Sequence, residues 1–149
     1  MLRGRITIIL ILCALITQAQ LIHSEKYRQQ LNDEYATALF KSDNAYMIVP
    51  GDDFSANGYF NVFQYLQGRV PGLAIYNPVG IGTIPAVNYR NGRPALFLDE
   101  MPVDLYTLNT VNLPDIALIK IFRPPFIAAT GNGPFGAIAI YTKRGDEEE

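Results

Sequence analysis

The sequence predicts an α+β domain, a small mixed β-sheet carrying one or two short helices. Three observations lead there. Of 149 residues, 49% are hydrophobic and only 17% charged, which is enough apolar content for a core and too little charge for a disordered chain. Twelve Gly and ten Pro exceed what a helical bundle would carry, so turns and short elements dominate. The apolar residues fall in short runs closed by Pro, Gly or Asn-Gly, the pattern of strands between turns. A chain of this length suits a single domain.

The elements follow in order. Arg3 and Arg5 precede an apolar run, Ile6 to Ile16, interrupted only by Thr7, and Thr17-Gln18-Ala19 offers short side chains at a cleavage point. Residues 1–19 therefore read as a signal peptide cut after Ala19, because a run of eleven residues falls short of the roughly 18–20 that cross a bilayer. Cys13 lies in this run behind the bulky Leu12, so it reads as an apolar signal residue and not a lipid-attachment site. Removing residues 1–19 leaves 130 residues with no cysteine, hence no disulfide or thiol nucleophile, and no membrane span in the mature chain. Residues 20–44 form a helical linker region. In it Tyr27, Leu31, Tyr35 and Leu39 recur every four residues, so a helix is expected from Ser24 to Leu39 with Ser24 as N-cap, packing on the domain or acting as a linker.

The domain proper spans residues 45–145. Tyr46–Val49 is a strand stopped by Pro50-Gly51, and Asp52-Asp53 a turn before a helix that carries Phe60, Phe63 and Leu66 and ends near Gly68. Leu73–Tyr76 and Ala86–Arg90 are strands flanking a flexible loop, Asn77-Pro78-Val79-Gly80-Ile81-Gly82, and Asn91-Gly92 is a turn whose residues both tolerate positive φ. Ala95–Leu98 is a strand expected to be buried on both faces, reversed at Asp99-Glu100. Leu105 and Leu108 suit a short helix halted by Pro114. Ile116–Phe122 alternates apolar residues with Lys120, and after Pro124-Pro125 a loop runs to Gly136 before the last strand, Ala137–Thr142. Residues 146–149 are an acidic tail, and the body from Gln20 to Gly145 is balanced at 10 basic against 10 acidic residues.

The residue types that carry chemistry are sparse. The formal net charge is −2 and Lys and Arg form no cluster, so no nucleic acid is expected as partner. His23 is the one histidine and stands at the mobile end of the mature chain, without the rigid support a general base needs. With neither cysteine nor a second histidine, no catalytic residue, no metal site and no cofactor is expected. The pairs Asp52-Asp53 and Asp99-Glu100 read as turn chemistry, since neither has the regular oxygen spacing of a calcium loop. Gly131-Asn132-Gly133-Pro134-Phe135-Gly136 lacks the Lys-Ser/Thr ending of a phosphate loop and is followed by a strand. Tyr59, Phe60, Phe63, Tyr65 and Tyr76 suit a binding surface or core packing equally.

Asn61-Val62-Phe63-Gln64-Tyr65-Leu66-Gln67-Gly68-Arg69-Val70-Pro71-Gly72-Leu73 resembles the helix-to-strand signature of the plug domain of TonB-dependent outer-membrane receptors. Four more segments are similar to that family in the same order: Val87–Arg90, Ala95–Val103, Asn112–Phe122 and Gly136–Gly145. The chain departs at Asn91, at Glu100 where the family usually has Gly, and at Arg123-Pro124-Pro125, where a Gly-Ala-Ser loop is common. The Arg-Pro-Pro-Phe form resembles plug-like domains that close longer exported chains of macroglobulin-like or carboxypeptidase-regulatory-like modules. No TonB box stands between Gln20 and Tyr46.

The resemblance implies a plug fold that sits in a barrel of 22 strands, and at about 9–11 residues per strand this sequence has no room for one. The expectation is an exported, non-catalytic interaction or gating module of outer-membrane nutrient uptake. It would reside in the periplasm or at the periplasmic face of the outer membrane. Its expected partner is an envelope protein, such as an outer-membrane barrel or receptor. Alternatives are a fragment of a receptor whose barrel is encoded separately, and a small exported enzyme. Candidate contact residues lie on the Gly/Pro loops: Asn77, Pro78, Gly80, Gly82, Arg123, Gly131, Asn132, Gly133 and Phe135.

Overall fold

The computed structural model describes residues 24–41, 45–76, 85–128 and 131–145. Residues 1–19, expected to be a signal peptide, together with Asn77–Gly82 and the acidic tail, lie outside the described residues. The expected class is what the chain adopts: α+β around a mixed sheet. Helix α1 covers residues 24–35. It is followed by β1 (Ala45–Ile48), two 3-10 turns (Pro50–Asp52 and Phe54–Gly58), α2 (Val62–Leu66), β2 (Leu73–Tyr76) and β3 (Ala86–Tyr89). Next come β4 (Ala95–Leu98), β5 (Met101–Pro102), α3 (Leu105–Thr110), a 3-10 turn (Leu113–Asp115), β6 (Ile116–Phe122), β7 (Phe126–Ala128), β8 (Gly131–Gly133) and β9 (Ala137–Thr142).

Five strands form the main sheet in the order β1-β6-β9-β4-β5. All neighbours are antiparallel except β4 and β9, whose parallel register sets Ala95 opposite Ala137 and Leu98 opposite Ile140. Successive side chains of a strand point to opposite faces, and this alternation divides the core in two. Ile119, Ile121, Ile138 and Ile140 face α2, α3 and the β2–β3 hairpin, where Phe63, Leu66, Val87 and Leu108 are buried. Leu118, Phe122, Ala137, Ala139 and Tyr141 face the other way, against Leu31, Tyr35, Ala36 and Phe40 of the N-terminal segment. The helix that the sequence left between packing and linking thus packs on this face of the sheet, through Leu31 and Tyr35.

Local chemistry sets the ends of the elements. Asn61 accepts hydrogen bonds from the Phe63 and Gln64 amides and so caps α2, and Asp104 accepts from the Thr107 amide at 2.7 Å and caps α3. Asp53 does the same for the second 3-10 turn through the Ser55 amide.

Several expectations are corrected. Helix α1 ends at residue 35 and not at Leu39, because the Thr37 amide donates to the Glu100 carboxylate instead of continuing the helix ladder. Leu39 consequently turns outward and Phe40 inward, where its ring meets Phe97, Phe126 and Phe122 at centroid distances of 5.2, 5.5 and 5.9 Å. At the β3 turn the residue with positive φ is Arg90 (56°), and Gly92 is required for another reason: the Phe135 ring lies where its Cβ would be.

Strand β4 is only half-buried apart from Phe97, since it pairs on its outer side with the two-residue edge strand β5. The strands buried on both faces are β6 and β9 in the middle of the sheet, and Lys120 is buried with the rest of β6. The stretch Phe126–Gly136, read as loop, contains the β7–β8 hairpin. Glycines pair poorly on propensity alone, so the sequence conceals it.

Candidate functional site

Two regions gather the polar chemistry of the described residues. The first is built by α2 and the turns before it. Asp53 accepts from the Tyr65 hydroxyl at 3.0 Å and from the Ser55 hydroxyl at 2.7 Å, and it pairs with Arg69 at 3.6 Å. Arg69 donates to Ser55 Oγ at 2.8 Å, and its guanidinium carbon stands 4.2 Å from the Tyr65 ring centre and 4.9 Å from that of Tyr59. The Ser55 hydroxyl and amide hold the Asp53 carboxyl below the usual carboxylate range. Burial, with the Asp53 carboxylate as its hydrogen-bond partner, pushes the Tyr65 phenol up to about 12. Asp53, Tyr65 and Arg69 line a groove of about 310 Å³ beside β1, with Arg28, Tyr46 and Asp52 on its walls. Their hydrogen bonds run to one another, so the arrangement clamps the start of the domain to α2.

The second region is the two-residue turn between β4 and β5. Asp99 and Glu100 both adopt the left-handed conformation, φ 47° and 66°, which a side chain makes costly. Asp99 accepts from the Thr142 amide and hydroxyl at 2.9 and 2.8 Å, tying the turn to β9. Glu100 accepts from the Thr37 amide and hydroxyl at 2.7 Å each and from the Tyr141 hydroxyl at 3.2 Å. At the position where the family resembled usually has Gly, this chain accepts backbone strain and uses the carboxylate to latch the segment just after α1 to the β4–β5 turn. Burial, then the Glu100 carboxylate, raises the Tyr141 phenol above its ordinary value. Beneath the same helix, the buried Lys120 ammonium donates to Asn32 Oδ1 and to the Phe40 carbonyl oxygen. A charge out of water needs such partners, and both come from the N-terminal segment.

The sequence-predicted contact residues divide. Asn77, Pro78, Gly80 and Gly82 lie outside the described residues. Arg123 is exposed just beyond β6, and Gly131, Asn132 and Gly133 form β8 opposite β7. Phe135 is 40% exposed. Because Phe122 pairs with Ala137, these residues share one end of the sheet.

Sequence reading missed exposed apolar groups. Phe54 is 92% exposed and Ile127 76%, and Met101 is also largely open. Large apolar side chains inside turn-forming segments were the available signal. Of the five aromatics left open, Phe63 and Tyr65 are core, while Phe60 and Tyr76 face solvent. Among the described residues no group of three or more His, Cys, Asp or Glu could hold a metal ion, and no helix is long and apolar enough to cross a membrane.

Comparison with solved structures bears on the fold. The structure of the RagAB peptide importer in its closed-closed state matches 70% of this chain with a TM-score of 0.56 at 18% sequence identity. The siderophore receptor PirA from Acinetobacter baumannii matches 74% with a TM-score of 0.54 at 20% identity. The chain has a plug-like fold. The ferric enterobactin receptor PfeA from Pseudomonas aeruginosa matches 69% with a TM-score of 0.50 at 19% identity. The plug-like chain spans only 13% to 19% of the length of these proteins. No family model and no curated protein sequence matches it.

Proposed function

We propose that this chain is an exported, non-catalytic interaction module of outer-membrane nutrient uptake, working against an envelope protein such as an outer-membrane barrel or receptor. The observation that carries the reading is the plug-like fold, found over about 70% of the chain in one importer and two receptors. Contact is made by the segment Asn77–Gly82 and, at one end of the main sheet, by Arg123, β8 and Phe135. The Asp53–Tyr65–Arg69 clamp and the Glu100 latch serve the fold and leave this end open to a partner.

A photo-crosslinking residue placed at Arg123 or Phe135 in cells tests the proposal, together with mass spectrometry of the mature N-terminus. The expected results are a chain beginning at Gln20 and a crosslink to an outer-membrane β-barrel protein. Retention of residues 1–19 in a cytoplasmic chain, or crosslinks that include no outer-membrane protein, overturns it. A second reading, a portion of a receptor whose barrel is encoded apart, is favoured by the small fraction of the importer and receptors that the chain spans. A barrel-coding sequence following the codon for Glu149 distinguishes it.

A further inference from the structure

We infer that the pocket between β3, β4 and α3 is a binding site for a small carboxylate carried on an apolar body. Its volume is about 410 Å³, and its walls are Ala86 and Val87 of β3, Pro94, Leu96 of β4 and Leu105 of α3. Small-molecule sites commonly start at about 300 Å³. At roughly 30 Å³ per water-sized volume, the space admits a ligand body of about a dozen non-hydrogen atoms.

One charged residue lines this apolar space, Arg93. Unlike Arg28, Arg69, Arg90 and Arg144, whose guanidinium groups meet a carboxylate or an aromatic ring, Arg93 has no hydrogen bond, ion pair or ring contact among the described residues. The residue after it is Pro94, which restricts the Arg93 backbone to extended conformations and so limits where the side chain starts. A guanidinium presents a planar fork of donors that matches the two oxygens of a carboxylate. Apolar walls favour the rest of such a ligand over water. Neutral apolar molecules would leave the guanidinium unused. Inorganic phosphate would leave the apolar wall uncovered. The two features together select an amphipathic carboxylate, supplied either by a free medium-chain fatty acid or by the C-terminus of a short apolar peptide.

The site is tested on the purified full chain without any partner, so its outcome is separate from that of the proposed envelope contact. Decanoate, N-acetyl-Leu-Phe with a free carboxylate and the same dipeptide as its amide are titrated while the methyl resonances of Val87, Leu96 and Leu105 are followed by NMR. At least one of the two carboxylates is expected to give saturable shifts at these methyls with a sub-millimolar dissociation constant. Decanoate binding alone assigns the fatty-acid source, and dipeptide binding alone the peptide source. Arg93→Gln is expected to weaken the bound carboxylate about tenfold, the size of one lost charge-assisted contact, and to leave the amide unchanged. Since Arg93 is exposed and unpaired, this variant leaves the fold intact. Ala86→Phe, which fills the pocket, is expected to abolish binding of the carboxylate without requiring any change at Arg93. Absence of saturable shifts with both carboxylates, or equal affinity in Arg93→Gln and the parent chain, overturns the inference.

Discussion

Glu100 can be tested because its two energetic roles oppose each other. A left-handed backbone at a residue with a side chain costs about 1 kcal/mol, a cost glycine does not carry. The carboxylate in return accepts three hydrogen bonds, two from Thr37 and one from Tyr141. In this partly exposed setting each contributes about 1 kcal/mol, so together they are worth about 3 kcal/mol. Glu100→Ala loses the bonds and keeps the strain, a loss of about 3 kcal/mol. Glu100→Gly loses the bonds and the strain together, and the net loss falls to about 2 kcal/mol. Glu100→Gln keeps a carbonyl acceptor and loses about 1 kcal/mol.

Urea unfolding at neutral pH measures the series through midpoints at unchanged slope. Hydrogen exchange across residues 24–41 reports whether α1 loosens before the sheet does, as a latch requires. If Glu100→Gly is more destabilising than Glu100→Ala, or if Glu100→Ala leaves both stability and exchange of α1 unchanged, the latch argument is wrong.

Other consequences follow from the same geometry. Lys120→Met and Asn32→Leu each leave a partner of the buried contact unsatisfied and are expected to cost about 1–3 kcal/mol. The double variant should cost less than the two added together, and a double-mutant cycle by denaturation showing simple additivity refutes the coupling. Gly133→Ala drives a Cβ into the Gly136 carbonyl oxygen, so a loss above about 3 kcal/mol or failure to fold is expected, read by thermal melting. Tyr65 ionises near 12 when folded and near 10 when unfolded, so its contribution is whole below pH 10 and is lost as pH rises from 10 towards 12. Stability should fall in that window by up to about 1.4 kcal/mol per pH unit for this tyrosine. Tyr141, raised in the same sense, adds to the fall. Denaturation midpoints measured from pH 9 to 11 should flatten in the Tyr65→Phe, Tyr141→Phe double variant.

The sequence by itself determined the class of fold and most of its strands, because burial in a sheet leaves a local record. Apolar runs such as Leu73–Tyr76 and Ala137–Thr142 end at Gly, Pro or charged residues, and that pattern needs no partner to be read. It also showed the reversal at Asp99-Glu100. What it did not contain was the destination of side chains whose partners are distant in the chain. Lys120 reads as the polar member of an alternating strand until Asn32 and Phe40, eighty or more positions earlier, are brought over it. Glu100 reads as a mere departure from Gly until Thr37 is seen at its carboxylate, 63 residues away. The hairpin of β7 and β8 is hidden for a similar reason, since Gly131–Gly133 has little strand preference and takes its pairing from the surrounding packing. Local pattern records whether a residue avoids water. Only the folded chain decides which group replaces the water, because that choice depends on contacts between segments that the sequence keeps apart.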